Sequence, residues 1–118
     1  MEHIKDEIKS RIIEPFTKSI DCGDGWLPLI AELHEALIEV DPNYRVYQVK
    51  EKFGRLCFYY AISNPELFAN VKDIVKLYED MSGSICEKTG KPGKRMVRNG
   101  YYKTLHESFK DEGWKEVQ

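Results

Sequence analysis

Cationic and aromatic side chains within residues 47–60 have the types and spacing to bind a ligand. Lys50 and Lys52 alternate along one predicted strand, and Arg55 and Tyr59 fall at matching positions of the next. Because successive side chains of a strand point to opposite faces, a β-hairpin would present all four on one face. Three cations beside a tyrosine could hold an anion or an acidic partner.

A second group of cations lies further along the chain. Residues 85–105 contain six cations and one acid, whereas residues 1–45 contain five cations and ten acids. The candidate binding residues of this second group are Lys91, Lys94, Arg95 and Arg98. Cations with interleaved aromatic residues can hold a phosphate backbone and stack bases. The alternative is that the lysines decorate an exposed sheet, the tyrosines are core, and the acidic and basic segments neutralise one another.

No arrangement of residues predicts catalysis. Cys57 could be combined with His34 or His106, but no sequence spacing supports a nucleophile with its base. The segment from Gly90 to Arg95 lacks the spacing of a phosphate-binding loop. We therefore predict that the protein is not an enzyme and needs no cofactor.

Length and composition are those of an ordinary globular chain. The 118 residues predict one domain, residues 1–118, and the formal net charge of −2 provides no global basic field for nucleic acid. No apolar run approaches the roughly 20 residues of a membrane span, and the charged N-terminus lacks a signal segment. These features predict a cytoplasmic protein with no membrane partner. Three cysteines without a CxxC motif predict free thiols.

Hydrophobic spacing predicts an N-terminal helix. Ile4, Ile8 and Ile12 recur every four residues, which indicates an amphipathic helix of about three turns. Pro15 interrupts it, and a short continuation could still pack through Phe16 and Ile20.

Two further helices are predicted downstream. Apolar residues from Trp26 to Val40 give the strongest helical pattern, with Trp26 as a core anchor after a double-glycine turn. The next helix begins at Asn64, which is followed by proline and glutamate, and Gly83 ends it.

A β-hairpin between these helices is predicted to lie at the centre of the fold, over residues Val46 to Ile62. Its apolar face is predicted to carry Tyr47, Val49, Phe53, Leu56, Phe58, Tyr60 and Ile62. Alternation also sends Glu51 to this face, so Glu51 either pairs with a nearby cation or marks a bulge.

The last third of the chain is short, basic and rich in glycine. Residues 91–94 predict a turn, residues 96–102 one or two short strands, and residues 104–107 the start of a brief helix ended by Gly113. The fold class is therefore predicted as α+β, with a central β-hairpin or small antiparallel sheet packed by two to three helices. Residues 1–83 would form the core, and residues 84–118 a basic knuckle-like appendage.

Several motifs resemble those of a family of small, mostly uncharacterised phage and prophage proteins. The family pattern contains GDGW, VKEKFG-x-LRFY and a zinc-knuckle-like C-E-x-C-G-x-P-G. The matching residues are Gly23-Asp24-Gly25-Trp26, Val49-Lys50-Glu51-Lys52-Phe53-Gly54, Leu56, Phe58, Tyr59, Cys86-Glu87, Gly90, Pro92, Gly93 and Thr104-Leu105. The resemblance spans roughly residues 22–106 and implies a viral or prophage origin.

The metal ligands of that family are largely missing. Thr89 stands at the second cysteine position, His106 at the third, and Ser108 or Phe109 at the fourth. Structural zinc usually takes four Cys or His ligands, so we predict no metal and a knuckle shape kept by hydrogen bonds and packing.

These observations lead to a small binding protein of phage or prophage type. The leading hypothesis is an anionic ligand, nucleic acid or a phosphate-bearing molecule, held by Lys50, Lys52, Arg55 and Tyr59 together with the Lys91–Arg98 segment. The alternative is a protein-binding inhibitor of a host factor such as a defence system, and a zinc-dependent module is the weakest reading.

Overall fold

Two three-stranded sheets and three α-helices build the protein in the computed structural model, which describes residues 2–118. The predicted α+β class is confirmed. The helices are α1 (Glu2–Ser10), α2 (Leu27–Val40) and α3 (Phe68–Ser82). The strands are β1 (Ile20–Asp21), β2 (Arg45–Lys52), β3 (Arg55–Ala61), β4 (Lys94–Arg98), β5 (Tyr101–Leu105) and β6 (Lys115–Glu116). Short 3-10 helices cover Asp24–Trp26, Pro65–Leu67 and Glu107–Glu112. Within residues 2–118, no helix has the length and apolar character to cross a membrane.

The larger core lies between the first sheet and the helices. In that sheet β2 lies in the middle, antiparallel to β3 and parallel to the short β1. Apolar residues of α1, α2 and α3 pack on it. The fully buried residues of this core, from the helices, the sheet and the segments that connect them, include Ile8, Trp26, Leu33, Leu37, Tyr44, Val46, Val49, Leu56 and Val71. The helix predicted between Trp26 and Val40 and the helix ended by Gly83 are both present.

The N-terminal segment departs from the predicted helix. Helix α1 ends at Ser10, and Ile12 forms a parallel bridge with Val46. The predicted helical continuation is also wrong, because Ile20 lies in β1. The physical reason is that the two-residue β1 covers only part of one side of β2. Extended chain beside the uncovered part satisfies its backbone groups, as in the 2.9 Å bond from the Ile13 amide to the Val46 carbonyl.

The predicted apolar face of the hairpin is wrong at its first position. A register shift between Val46 and Gln48 interrupts the alternation, so Val46 and Val49 are both buried. Tyr47 is consequently 38% exposed and packs edge-on against Phe16, with ring centroids 5.4 Å apart. The bulge therefore lies at Tyr47, four residues before Glu51, the position at which the sequence had suggested one.

The outer edge of β3 is covered by α3. The Leu56 amide donates to Ser82 Oγ at 3.0 Å, and the Phe58 amide donates to Glu79 Oε2 at 2.8 Å. Side chains of the helix thus accept from backbone groups that would otherwise be open to another chain. Burial raises the pKa of the Glu79 carboxyl, although the bond from Phe58 opposes this.

The second sheet has the order β5-β4-β6 and a small core of its own, formed by Cys86, Met96, Leu105 and Trp114. The two short strands predicted here are present as β4 and β5. The helix predicted to begin at Thr104 is wrong, since Thr104 lies in β5 and a 3-10 helix starts after His106. The His106 side chain accepts from the Ser108 amide, so the cap sits two residues later than predicted. Gly113 ends this element with φ of 90°.

Candidate anion-binding surface

The hairpin presents its four candidate residues through strand register. Lys50 lies opposite Cys57, Lys52 lies opposite Arg55, and Tyr59 lies opposite Gln48. The Lys50 ammonium is 5.9 Å from the centroid of the Tyr59 ring, a distance at which a cation is attracted to an aromatic face. Tyr59 is 42% exposed, so this pair remains open to a ligand.

Phe53 does not lie on the apolar face, where alternation had placed it. Phe53 and Gly54 form the two-residue turn between β2 and β3, with φ of 52° and 86°. Positive φ at both positions is the conformation of a type I′ turn, whose backbone twist matches that of the strands. The Phe53 ring is 64% exposed, and the Lys52 ammonium lies 6.0 Å from its centroid.

Strand register divides the second group of cations. Lys94 and Arg98 are four residues apart and lie on one face of β4, whereas Arg95 lies on the other face. Lys94 pairs with Glu116 at 3.2 Å, and Arg98 donates to the Glu112 carbonyl at 2.9 Å. These two side chains are therefore engaged within the second sheet.

Within residues 2–118, Arg95 is the cation of β4 whose side chain has neither a carboxylate partner nor a hydrogen bond. Arg98 also lacks a carboxylate partner, but it donates to the Glu112 carbonyl and lies 4.6 Å from the centroid of the Trp114 ring. The Arg95 guanidinium carbon lies 4.4 Å from the centroid of the Tyr102 ring, and Arg95 forms no ion pair within residues 2–118. Lys91 is exposed in its turn and also has no carboxylate partner in that range. Arg55, in contrast, pairs with Asp80 at 3.3 Å.

Three cation–aromatic pairs on the two sheets thus have cations with neither a carboxylate partner nor a side-chain hydrogen bond within residues 2–118. We call them the basic–aromatic strip, which consists of Lys50 with Tyr59, Lys52 with Phe53, and Arg95 with Tyr102. Sequence reasoning missed Phe53 as a site residue, because alternation placed it on the apolar face. The signal for Phe53 was the glycine after it, because a two-residue loop ending in glycine typifies a hairpin turn rather than a strand.

The hairpin tip packs against β5, the strand that carries Tyr102. Thr104 Oγ1 donates to the Gly54 carbonyl at 2.6 Å. A Cβ at Gly54 would lie 3.1–3.3 Å from backbone atoms of Lys103 and Thr104, so the turn lies directly on the strand. Tyr102 precedes these residues, and Arg95 is the cross-strand partner of Thr104.

A buried acid supports the same junction. The Glu87 side chain is only 5% exposed and accepts from Lys103 Nζ at 3.2 Å and from the Gly23 amide at 2.9 Å. Lys103 also lies 3.5 Å from Glu51, which accepts from the Gly54 amide at 2.7 Å. Of the two explanations offered for Glu51, pairing with a cation is therefore confirmed. Burial lowers the pKa of Lys103, but the Glu87 and Glu51 carboxylates together outweigh it, so the net pKa is raised.

The double-glycine segment docks onto the knuckle-like turn. A Cβ at Gly25 would lie 2.3 Å from the Cys86 carbonyl oxygen, and one at Gly23 would lie 2.5 Å from the Glu87 carbonyl oxygen. The Trp26 indole donates to the Ile85 carbonyl at 2.8 Å and is fully buried, which confirms its role as a core anchor. Segments that the family resemblance rests on thus meet in one joint between the two sheets.

The knuckle-like turn does not have the donor set of a zinc site. Burial raises the pKa of the Cys86 thiol, but amides of Lys88, Thr89 and His106 and the Thr89 hydroxyl outweigh it, so the net pKa is lowered. Cys86 is the lone cysteine of the turn, and the His106 ring hydrogen-bonds Ser108. Across residues 2–118, no group of three or more His, Cys, Asp or Glu side chains is arranged to hold a metal ion.

No protein-family model, no curated protein and no solved structure matches this chain. The site is therefore defined by its own geometry, a basic and aromatic surface beside the junction of two small sheets.

Proposed function

We propose that this is a small, non-enzymatic binding protein of phage or prophage type that holds an anionic ligand, nucleic acid or a phosphate-bearing molecule, on the basic–aromatic strip. The observation that carries the proposal is that each of its three cations lies over an aromatic ring and pairs with no carboxylate in residues 2–118. Such cations keep their charge available, whereas Arg55 and Lys94 are already neutralised by acids.

The overall charge limits how such a ligand is bound. With a formal net charge of −2, the protein does not attract polyanions at long range. Three cations neutralise about three phosphates, which gives modest affinity on its own. Exposed rings add stacking of about 1–3 kcal/mol per base, so a ligand with aromatic groups between its phosphates gains from both parts of the strip.

The motif resemblance supports the proposed origin. The GDGW and VKEKFG segments and the Cys86-Glu87 turn match a phage and prophage pattern, and here they build one structural joint. A protein of that origin would work in the cytoplasm of the host cell.

The proposal is tested by fluorescence anisotropy with labelled oligonucleotides and with labelled polyphosphate. Three neutralised phosphates on a single strand give a slope of about 2 in log Kd against log salt, which is roughly a 20-fold loss of affinity between about 50 and 200 mM salt. The variant Lys50→Ala/Lys52→Ala should bind more weakly, with a slope near 0.7. The absence of binding to every polyanion at low salt, with the fold intact, would contradict the proposal.

A matched control removes the same charge elsewhere. Lys9 and Lys72 lie on α1 and α3, and neither pairs with a carboxylate within residues 2–118. The variant Lys9→Ala/Lys72→Ala has the same net charge as the test variant, so it should retain the affinity and the slope of the original protein. An equal loss in both variants would indicate a general charge effect and not a site.

The alternative function, a protein-binding inhibitor of a host factor, is favoured by one observation, an acidic groove on the surface. Glu32, Glu35 and Glu39 line an open groove of about 390 Å³ beside Tyr78, between α2 and α3. An acidic groove suits a basic protein partner. A partner captured from bacterial lysate that survives nuclease treatment and is lost in Glu35→Lys would support this alternative.

A further inference from the structure

We infer that the ligand of the basic–aromatic strip is a single-stranded nucleic acid and that Phe53 stacks on one of its bases. This inference rests on the proposed function and deepens it. It assigns a binding role to an exposed ring that neither packs in the core nor suits the backbone conformation of its turn.

The backbone at Phe53 is the first argument. With φ of 52°, Phe53 is in the left-handed region, which is rare and unfavourable for bulky residues. In the second hairpin of the chain, Asn99 and Gly100 form a turn of the same conformation, with φ of 53° and 82°. Asn-Gly is the preferred sequence of a type I′ turn, so the first hairpin carries phenylalanine where asparagine would be more stable.

The exposure of the ring is the second argument. Phe53 is 64% exposed, although the Gly54 beside it packs closely on β5. The tip backbone is held in place by the bonds that Gly54 makes with Thr104 and Glu51. A rigid backbone thus presents an apolar ring to solvent, with the Lys52 ammonium 6.0 Å from its centre. A fixed aromatic platform beside a cation is what base stacking next to a phosphate requires.

The geometry favours single strands over duplexes. Faces of paired bases are hidden in a duplex, whereas those of a single strand can stack on exposed rings such as Phe53 and Tyr59. Lys50 and Lys52 lie about 7 Å apart along their strand, which suits successive phosphates of an extended single strand. The hairpin face is formed by strands β2 and β3, and it offers no helix to enter the major groove of a duplex.

The decisive variant is Phe53→Asn. Asparagine suits the turn, so we expect unchanged or increased resistance to urea, while stacking is lost. Binding of fluorescein-labelled dT12 or rU12 should weaken by about 5- to 150-fold, the range expected for one stacked base. The original protein should bind a 12-base-pair duplex more weakly than it binds either dT12 or rU12.

Phe68→Ala provides the matched control. Phe68 is 51% exposed and also lies beside a lysine, with the Lys72 ammonium 5.9 Å from its ring. It is at the far end of α3 from the Ser82 contact with the hairpin, about 20 Å away along the helix. Its loss should leave the affinity for dT12 and rU12 unchanged.

The outcomes separate the inference from the proposed function. Weaker binding by a stable Phe53→Asn, with Phe68→Ala unchanged, supports the inference. Equal binding by Phe53→Asn, or tighter binding of the duplex, overturns it while anion binding stands. No binding of oligonucleotides or of polyphosphate by the original protein overturns both.

Discussion

A single methyl group at Gly25 should separate the two sheets of this protein. In Gly25→Ala the new Cβ would lie 2.3 Å from the Cys86 carbonyl oxygen, 2.5 Å from that of Glu87 and 2.6 Å from the Gly90 nitrogen. All three are backbone atoms, so no side chain can rotate away to make room. Ordinary contact begins at 3.4 Å, and the double-glycine segment must therefore move by roughly 1 Å.

The cost follows from the hydrogen bonds that such a movement breaks. The Gly25 amide donates to the Glu87 carbonyl at 2.7 Å, the Gly23 amide to the Glu87 carboxylate at 2.9 Å, and the Trp26 indole to the Ile85 carbonyl at 2.8 Å. Each bond contributes about 0.5–1.5 kcal/mol, and a buried indole N–H left unpaired costs more. We expect a loss of about 3 kcal/mol in the free energy of unfolding, a large part of the 5–15 kcal/mol typical of a domain.

The assay is urea denaturation followed by tryptophan fluorescence, since Trp26 and Trp114 are both buried. Gly100→Ala is the control, because nothing lies within 4 Å of its Cβ position and the only cost is its φ of 82°, about 1–2 kcal/mol. Gly25 has no such backbone demand, so alanine there would be harmless without the neighbouring turn. A loss below about 0.5 kcal/mol for Gly25→Ala would show that the segments are not docked in this way.

Three further outcomes are expected. Phe58→Ala should lower the free energy of unfolding by about 3–5 kcal/mol in urea denaturation, because the ring is 2% exposed in the core; a loss below about 1 kcal/mol would contradict the assignment of the hairpin faces. Elemental analysis of protein purified without chelator should find well under one zinc per chain, and a stoichiometric signal lost in Cys86→Ser would overturn this. Burial and the nearby Arg11 lower the pKa of His34, whose ring meets Tyr44 OH at 2.7 Å and Glu7 at 3.6 Å. As the pH falls, the unfolded chain therefore takes up the proton before the folded protein does, so stability that is present above about pH 6.5 is lost below it. In His34→Gln the free energy of unfolding should decline less over this range. An equal decline in both proteins would refute the role given to His34.

Sequence patterns were sufficient where one physical rule acted alone. The apolar spacing from Trp26 to Val40 predicted α2, and the alternation after Arg55 predicted which side of β3 is buried. The same alternation placed Lys50, Lys52, Arg55 and Tyr59 on one face of the hairpin, which agrees with the observed register. These features depend only on neighbours along the chain or across one turn.

Other features depended on partners that the local pattern does not contain. Acids distant in sequence decided which cations form ion pairs, since Arg55 pairs with Asp80 and Lys94 pairs with Glu116. The extended path of Ile12 was decided by the part of β2 that β1 leaves uncovered, and pairing with it outweighed the four-residue spacing. Neither effect can be read from hydrophobic periodicity, because both arise from tertiary contacts.

The segment from Val49 to Gly54 explains how one strand serves both structure and surface. Alternation sends Val49 into the core and Glu51 to the joint, where it meets Lys103 and the Gly54 amide. The same alternation sends Lys50 and Lys52 to the strip. Substitutions on the strip therefore cost little stability, whereas those on the inner side separate the sheets. The outward-facing residues of such a strand can therefore be substituted without losing the fold that positions them.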